Sequence, residues 1–326
     1  MLNIGIVGVG QFGQNHARIM AQSELINLVG LYDKNTKRAQ EIGKKHGIKV
    51  FSNYQNLVDE CDAIVIVVNT ISHFELAKIA LSRHKHVFLE KPVTEELAQA
   101  RELITMAEAN DLRLQVGHIE RFNPVILEIS PLVKDPIFIE VHRIAPFTAR
   151  GTDVPVVHEL MIHDLDFILA FIKSKVKHIS ASGSGVMTKS IDIANARLEF
   201  ENGAVANVTA SRISLKRSRQ ARIFQKDAYF SLDFQEKTVK IVTKSKKLYK
   251  VYPKILAGKF DNISQEDVVD IREVKASSTG KDALTAELEA FFTAIEAGSN
   301  PLVDGEAGYD ALKVAQDIVE KINSSI

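Results

Sequence analysis

The feature that most constrains this chain is the glycine-rich segment GVGQFG at residues 8–13. It follows NIGIVGV, an apolar run that predicts a strand, and precedes QNHARIMAQS, which has helical spacing. In such a context Gly8 permits a tight turn, Gly10 lets the backbone approach a pyrophosphate, and Gly13 lets the helix pack closely on the strand. The unpaired N–H groups of the helix N-terminus favour phosphate. The segment therefore predicts a dinucleotide-binding site rather than an ordinary glycine-rich turn.

An acidic residue about 20 positions beyond the glycines bears on the choice of cofactor. Asp33 ends the second predicted strand, INLVGLYD, where a carboxylate can accept the ribose hydroxyls of NAD and would repel the 2′-phosphate of NADP. Lys34 and Arg38 follow it and could partly accommodate that phosphate. The sequence predicts NAD as the cofactor, with NADP as the less favoured alternative.

The pattern of apolar residues changes near residue 120. Up to that point, apolar runs such as DAIVIVVN alternate with helical stretches such as HFELAKIALSRH, which is typical of a parallel sheet covered on both faces. Later segments such as ANARLEFEN alternate polar and apolar residues, which indicates a half-exposed antiparallel sheet. We therefore predict an α/β protein with a Rossmann doubly wound parallel sheet in residues 1–120. Residues 121–326 should form a C-terminal α/β domain with an open, mainly antiparallel sheet.

Composition argues against several classes of protein. The 326 residues carry 41 basic and 41 acidic side chains, so no net charge attracts nucleic acid or an anionic membrane. The single cysteine, Cys61, excludes an internal disulfide framework and a multi-thiolate metal site. The N-terminus lacks the basic leader and cleavage site of a secretion signal, and no apolar window reaches the roughly 20 residues that span a bilayer. We expect a cytoplasmic protein with no nucleic-acid or membrane partner.

Two short motifs supply candidate catalytic residues. FLEKPVT places Lys91 at the carboxyl end of a predicted strand, and ligands bind outside such ends in open α/β sheets. In VVHELMIHDLDFI, His158 and His163 are one residue too far apart for the zinc-binding pattern H-E-x-x-H, so we predict no metal. Glu159 and His163 are four residues apart, on one helical face, where a carboxylate can orient an imidazole and raise its basicity. Each motif alone would favour a surface lysine or a core histidine; beside a nucleotide site, the two together favour catalysis.

Five segments in one order, GIVGVGQFGQNHARIM, NTISHFELAKIAL, VFLEKPVT, QVGHIERFNP and LMIHDLD, resemble the glucose–fructose oxidoreductase/inositol dehydrogenase (Gfo/Idh/MocA) family. The resemblance covers essentially the whole chain. It implies an N-terminal NAD-binding Rossmann domain and a C-terminal domain for substrate binding and oligomerisation. The open sheet of that second domain commonly forms subunit interfaces, so a homo-oligomer, either a dimer or a tetramer, is expected.

The resemblance also implies roles for individual residues. Lys91 matches the lysine of the E-K-P motif beside nicotinamide and substrate, and His163 matches the proton-transferring histidine. Glu159 falls where many members carry aspartate, and Asn69 replaces a usual proline shortly before His73. The cofactor-binding candidates are Gly8, Gly10, Gln11, Phe12, Gly13, Asp33, Lys34, Arg38, Asn69, Thr70, His73, Glu90 and Lys91. The substrate-binding candidates are His118, Arg121, Asn123, His158, Arg212 and Lys216.

A basic segment, ASRISLKRSRQARIFQ at residues 210–225, bears on the substrate. Arginine binds diphosphates through its planar fork, although a basic outer face or an interface network would have the same composition. Together with GHIERFNP and LMIHDLD, the segment resembles the UDP-N-acetylglucosamine 3-dehydrogenase subgroup. That implies oxidation of a sugar C3 hydroxyl to a ketone that feeds 3-amino sugar synthesis for lipid A. The alternatives are a dehydrogenase of a free sugar, an inositol or a UDP-sugar uronate, and a non-catalytic NAD-binding regulator.

Overall fold

A computed structural model describes residues 1–148, 154–276 and 281–324 of the chain. The chain divides into two compact units. The first comprises Met1–Phe122 and Lys281–Lys313, and the second comprises Asn123–Gly280 and Val314–Ile326. Besides a boundary near residue 120, which the sequence predicts, this division places residues 281–313 in the first unit.

The first unit contains a five-stranded sheet in the order β2-β1-β3-β4-β5, with every neighbouring pair parallel. Its strands are β1 (Leu2–Val7), β2 (Ile26–Tyr32), β3 (Ala63–Ile66), β4 (His86–Glu90) and β5 (Leu114–Gly117). Between them lie α1 (Gly13–Ala21), α2 (Thr36–His46), α3 (Tyr54–Asp59), α4 (His73–Ser82) and α5 (Leu97–Ala109), with 3₁₀ turns at Thr70–Ser72 and Ile119–Phe122. The Rossmann sheet that the sequence predicts is confirmed.

The second unit contains an eight-stranded sheet in the order β13-β12-β11-β10-β6-β9-β8-β7. Its strands are β6 (Phe138–Ile144), β7 (Val176–Ser184), β8 (Ile193–Phe200), β9 (Val205–Ser211), β10 (Ser218–Phe224), β11 (Ala228–Asp233), β12 (Thr238–Lys244) and β13 (Val269–Lys275). Its helical segments are α6 (Pro124–Ile129), a π-helical turn (Val157–Met161), α7 (Ile162–Ile172), α8 (Leu248–Leu256) and α9 (Gln265–Val268). Only the β6–β9 pair among these neighbours is parallel, as expected for an open, mainly antiparallel sheet.

Two final helices complete the described chain: α10 (Ala283–Glu296) and α11 (Gly305–Ser324). Helix α10 covers one face of the five-stranded sheet, where Phe291 and Phe292 share a core with Ile4, Ile6 and Phe88. On the opposite face, Leu312 and Val303 share a second core with the side chains of β3, β4 and β5. Apolar strands covered on both faces are the arrangement that parallel sheets require.

Among the described residues, each helix is too short or too polar to cross a membrane. Within the same ranges, no group of three or more His, Cys, Asp and Glu side chains is placed to hold a metal ion.

Candidate active site

The turn between β1 and α1 has the geometry of a phosphate-binding loop. Gly8 has a φ of 86°, and a Cβ there would collide with the carbonyl of Val67. A Cβ at Gly13 would collide with the carbonyl of Gly8. By contrast, the nearest atom to a Cβ at Gly10 would be Arg38 Nη1, at 3.8 Å. The backbone itself requires the first and third glycines, whereas the second leaves open space in which a ligand can approach the main chain, as NAD would.

Asp33 lies directly beside this turn at the end of β2. Its Oδ2 accepts the backbone N–H of Val9, and its Oδ1 accepts that of Asn35, both at 2.8 Å. The carboxylate is half-buried, while Lys34 and Arg38 are exposed. The turn residues Gln11 and Phe12 are also exposed, as expected for a loop that receives a ligand. The two backbone bonds fix the Asp33 carboxylate, and each oxygen keeps a lone pair for a ribose hydroxyl.

Asp33→Asn is expected to shift the cofactor preference towards NADP. The change removes the charge that repels a 2′-phosphate. The ratio of kcat/KM for NADP to that for NAD should rise by about 10- to 100-fold, or about 1.4–2.8 kcal/mol. Asp62→Asn is the matched control, because Asp62 also accepts a backbone N–H (from Asn3, 2.9 Å) but lies at the amino end of β3, whereas Asp33 lies at the carboxyl end of β2. An unchanged ratio in Asp33→Asn would contradict the assignment.

His73 anchors the loop that carries Lys91. It is 1% exposed, with Nδ1 2.9 Å from the carbonyl oxygen of Pro92 and Nε2 3.2 Å from that of Val68. Burial lowers the pKa of His73 despite these two carbonyls. A neutral imidazole has one N–H and donates to one of these carbonyls, while the ring packs between the loop after β3 and the loop after β4, inside the protein. Of the other candidates in this region, Asn69 is exposed and Thr70 is half-buried.

Glu90 and Lys91 stand at the carboxyl end of β4, and Lys91 is joined to Pro92 by a cis peptide bond. Glu90 Oε2 accepts the backbone N–H of Lys91 at 3.2 Å, and Oε1 lies 3.2 Å from His16 Nε2. Burial raises the pKa of the Glu90 carboxyl, but the bond to His16 and the charges of His16 and Lys91 outweigh it, so the pKa is lowered. Glu90 is thus held as a carboxylate beside Lys91.

His16 is a functional candidate that the sequence analysis missed. It lies in α1, is 2% exposed, and has Nδ1 3.2 Å from the carbonyl oxygen of Phe12. Its position in the GQFGQNH segment, on the inner side of the helix, was the available signal. The spacing of residues in the sequence does not reveal that Glu90, at the end of β4, lies next to the inner side of α1.

His118 and Arg121 follow β5, at the carboxyl ends of the strands of the five-stranded sheet. His118 is fully buried, and burial together with the charges of Lys91 and Arg121 lowers its pKa to about 3. The imidazole is therefore neutral at ordinary pH and can take part in hydrogen bonds without adding charge. Arg121 is half-buried and donates through Nη2 to the carbonyl of Leu302 at 3.3 Å.

In the second unit, Asn123 begins α6. Its Oδ1 accepts the backbone N–H of Val125 at 3.1 Å, and Pro124 occupies the first helical position. Asparagine before proline is a strong helix start. The side-chain oxygen of Asn123, a substrate-binding candidate from sequence, therefore caps this helix.

The segment that carries His163 is not a simple α-helix. Val157–Met161 form a π-helical turn, and the α-helix starts only at Ile162. The α-helical spacing that the sequence predicts from His158 onward does not hold here, because the wider turn changes the angles between these side chains. His158, Glu159 and His163 are all half-buried. Isolated π turns frequently occur at functional sites.

Arg212 is paired inside the protein. It is 4% exposed, and its three guanidinium nitrogens all donate to nearby acceptors. These acceptors are Asp192 Oδ1, Glu159 Oε2, the carbonyls of Val154 and Ile191, and the hydroxyl of Thr188, at distances of 2.8 to 3.5 Å. Arg212 is a substrate-binding candidate from sequence, with a network of acidic partners as the alternative; these bonds occupy its guanidinium and join it to Glu159.

The remaining basic residues of segment 210–225 do not form one patch on the sheet. Strand β9 ends at Ser211 and β10 begins at Ser218, so Lys216 and Arg217 lie in the connecting loop rather than in a strand. Lys216 is exposed, and Arg222 on β10 pairs with Glu140 at 3.2 Å. Arg217 is exposed in the same loop.

Comparisons with known proteins agree with this architecture. The family model described as "Oxidoreductase family, NAD-binding Rossmann fold" matches residues 2–118, and the "GFO/IDH/MocA C-terminal domain" matches residues 145–230. A UDP-N-acetylglucosamine 3-dehydrogenase of Acidithiobacillus ferrooxidans is 34% identical over 320 residues, covering 97% of this chain and 96% of that protein. A myo-inositol 2-dehydrogenase of Thermotoga maritima is 23% identical over 332 residues, covering 95% of this chain and 93% of that protein.

A solved structure gives the same result in three dimensions. The UDP-N-acetylglucosamine 3-dehydrogenase from Acidithiobacillus ferrooxidans superimposes with a TM-score of 0.88 at 33% sequence identity, covering 99% of this chain and 98% of that chain. The glycine turn and Asp33 thus lie in an NAD-binding Rossmann domain.

Proposed function

The chain belongs to the GFO/IDH/MocA family of oxidoreductases, and on that premise we propose that it is an NAD-dependent dehydrogenase of UDP-N-acetylglucosamine. The reaction oxidises the C3 hydroxyl of the sugar to a ketone. The observation that carries the proposal is similarity along nearly the whole chain to a relative with that activity, 34% over 320 residues.

In the proposed mechanism His163 is the general base. A half-buried imidazole can take the hydroxyl proton as the C–H bond breaks, and general bases of this kind contribute substantially to rate. Bound NAD supplies the hydride acceptor. The ammonium group of Lys91 favours the oxyanion that develops on the substrate.

Neighbouring charges in the proposed site support these roles. Glu90, kept as a carboxylate by His16 and Lys91, balances the charge of Lys91. His118 stays neutral and, with Arg121, is a candidate contact to the sugar. Glu159 orients His163, and Lys216 contacts the diphosphate.

The proposal extends to the setting of the reaction. The 3-keto product is a substrate for an aminotransferase, and the resulting 3-amino sugar enters lipid A. We propose a cytoplasmic homo-oligomer, a dimer or a tetramer, that associates through the C-terminal sheet. Strand β6 pairs in parallel with β9 and joins the strands into one broad eight-stranded sheet. A sheet of this size supports such an association.

NADH formation with a panel of substrates tests the proposal. UDP-N-acetylglucosamine should give a kcat/KM at least about tenfold above that of N-acetylglucosamine or myo-inositol, because contacts to the diphosphate need add only about 1.4 kcal/mol. Mass spectrometry of the product should show the loss of two hydrogens, and NMR should place the ketone at C3. If the enzyme preferred a free sugar, an inositol or a UDP-sugar uronate, that compound would replace UDP-N-acetylglucosamine as the proposed substrate. NAD binding without turnover of any of these would favour a non-catalytic regulator.

A further inference from the structure

We propose that Arg143 on β6 and Arg212, the residue that follows β9, are positioning residues that hold the segment bearing His163 from both sides. This inference rests on the proposed function, because it takes His163 as the base. Neither arginine is required to touch substrate or cofactor. Each acts through a carboxylate on the His163 segment: Arg212 through Glu159, and Arg143 through Asp164.

The first bridge lies on the N-terminal side of His163. Arg212 Nη1 donates to Glu159 Oε2 at 3.0 Å, and Glu159 belongs to the π-helical turn. Arg212 also donates to the carbonyl of Val154, just before that turn, at 2.8 Å. One guanidinium thus fixes both the entry to the turn and a side chain within it.

Arg212 is itself held by an unusually well-bonded carboxylate. Asp192 is fully buried, and its Oδ1 accepts from Arg212 Nε at 2.8 Å. Its Oδ2 accepts the backbone N–H groups of Val186, Met187 and Thr188, at distances of 2.7 to 2.9 Å. Burial raises the pKa of Asp192, but Arg212 and these N–H groups outweigh it and hold the pKa below its usual range. Arg212 is therefore tied to a permanent anion, and cannot swing away to a ligand without abandoning it.

The second bridge lies on the C-terminal side of His163. Arg143 on β6 donates through Nε and Nη2 to the two oxygens of Asp164, at 2.8 and 2.6 Å. Both residues are buried, with 3% and 0% exposure. A bidentate pair of this kind fixes direction as well as distance, which a lysine cannot reproduce. Asp164 is adjacent to His163 in the chain.

Sheet pairing explains why two arginines distant in sequence serve one segment. Arg143 on β6 pairs with Ala210 on β9, so the two side chains share one face of the sheet. Arg212 lies in the bend directly after β9, next to the same segment. The π turn and α7 pack on β9. The bridges therefore join this part of the sheet to residues 159 and 164, on either side of His163.

A π turn lacks the regular α-helical spacing and needs the surrounding structure to retain it. A catalytic base displaced by about 1 Å can lose about 100-fold in rate. We infer that the two bridges keep the π turn in place and thereby aim the His163 imidazole.

A double-mutant cycle between Arg212 and Glu159 tests this role. Arg212→Lys keeps the charge but loses the fork, and Glu159→Gln removes the charge at the other end of the bridge while leaving Arg212 its remaining acceptors. Each should lower kcat by about 10- to 100-fold, with the Kd for NAD within twofold of the wild type. If Arg212 acts through Glu159, the double variant should lose no more than the worse single variant. Arg272→Lys, on an exposed arginine that lies 3.5 Å from Glu128, is the matched control and should leave kcat unchanged.

A second readout does not depend on turnover. The imidazole of His163, labelled with ¹³C and assigned by its loss in His163→Gln, should titrate at a different pH in Arg212→Lys than in the wild type. In the Glu159→Gln background, the same arginine change should produce no further shift. Arg143→Lys should likewise change the pH at which His163 titrates. The melting temperature of the Arg143→Lys variant shows whether this change comes from unfolding.

Two results would overturn the positioning role. One is that the fold-losses in kcat of the single variants multiply in the double variant; the other is that His163 titrates at the same pH in Arg212→Lys as in the wild type. If the wild type oxidises no UDP-sugar, the proposed function fails, and the NMR titration still decides the positioning role. If His163→Gln is inactive but the cycle is additive, the function stands and the positioning role falls.

Discussion

His163→Ala should lower kcat by about 10²–10⁴-fold, the contribution expected from a general base. The hydroxyl proton would then have no imidazole to accept it, and water is a poor substitute in a half-buried site. NAD binding should stay within about twofold of the wild type, because His163 belongs to the second unit and the glycine turn and Asp33 to the first. Stopped-flow NADH formation and equilibrium titration with NAD measure the two quantities separately.

His178→Ala is the matched control for His163→Ala. His178 is an exposed histidine on β7 whose Nε2 lies 3.2 Å from the hydroxyl of Ser180, and its loss should leave kcat unchanged. The acid limb of the wild-type pH profile should disappear in His163→Ala. That limb cannot come from His118, whose pKa of about 3 lies well below the working range. Turnover near the wild-type rate in His163→Ala would remove the base assignment.

Lys91→Ala is expected to lower kcat by about 10²–10³-fold, the usual cost of removing one donor to a developing oxyanion. The loss should be accompanied by little change in melting temperature, because Lys91 is partly exposed at the end of β4. It would also leave the Glu90 carboxylate without the charge of Lys91, which helps to lower its pKa. Steady-state kinetics of the purified variant, with product analysis by NMR, measure the effect.

Two further variants, Lys91→Arg and Lys78→Ala, serve as controls for Lys91→Ala. Arginine keeps the charge but not the compact ammonium group, so partial activity in Lys91→Arg would support electrostatic stabilisation. Lys78 is a half-buried lysine in α4 that pairs with Glu102 at 2.7 Å, and its replacement should leave kcat intact. If Lys91→Ala retained full turnover, the oxyanion role would have to pass to another group.

The nucleotide-binding part of this protein is readable from sequence because its determinants are local. Gly8, Gly10 and Gly13 lie within six residues; Gly8 has a positive φ, and a Cβ at Gly13 would collide with the carbonyl of Gly8 in the same turn. Asp33 is identified by its place at the end of an apolar run. In each case a short pattern contains both the residue and the geometry that it serves.

The partner of Glu159 was not readable from sequence for the opposite reason. Arg212 lies 53 positions away from Glu159, and only the folded second unit brings it, directly after β9, next to the π turn. From sequence, an arginine bound to buried carboxylates is indistinguishable from one that binds a diphosphate. The π turn escaped detection as well, because VVHELMIHDLDFI has ordinary helical composition and the extra residue in the turn depends on tertiary contacts.

The discontinuity of the first unit has a consequence for how the protein is made. Its core needs Phe291 and Phe292 from α10 against Ile4, Ile6 and Phe88, and the ring centroids of Phe88 and Phe291 are 5.9 Å apart. Translation proceeds from the N-terminus, so the ribosome must synthesise residues 123–280 before the segment that closes this core emerges. The nascent nucleotide-binding sheet therefore waits with one apolar face incompletely covered, a state that invites chaperone binding during synthesis.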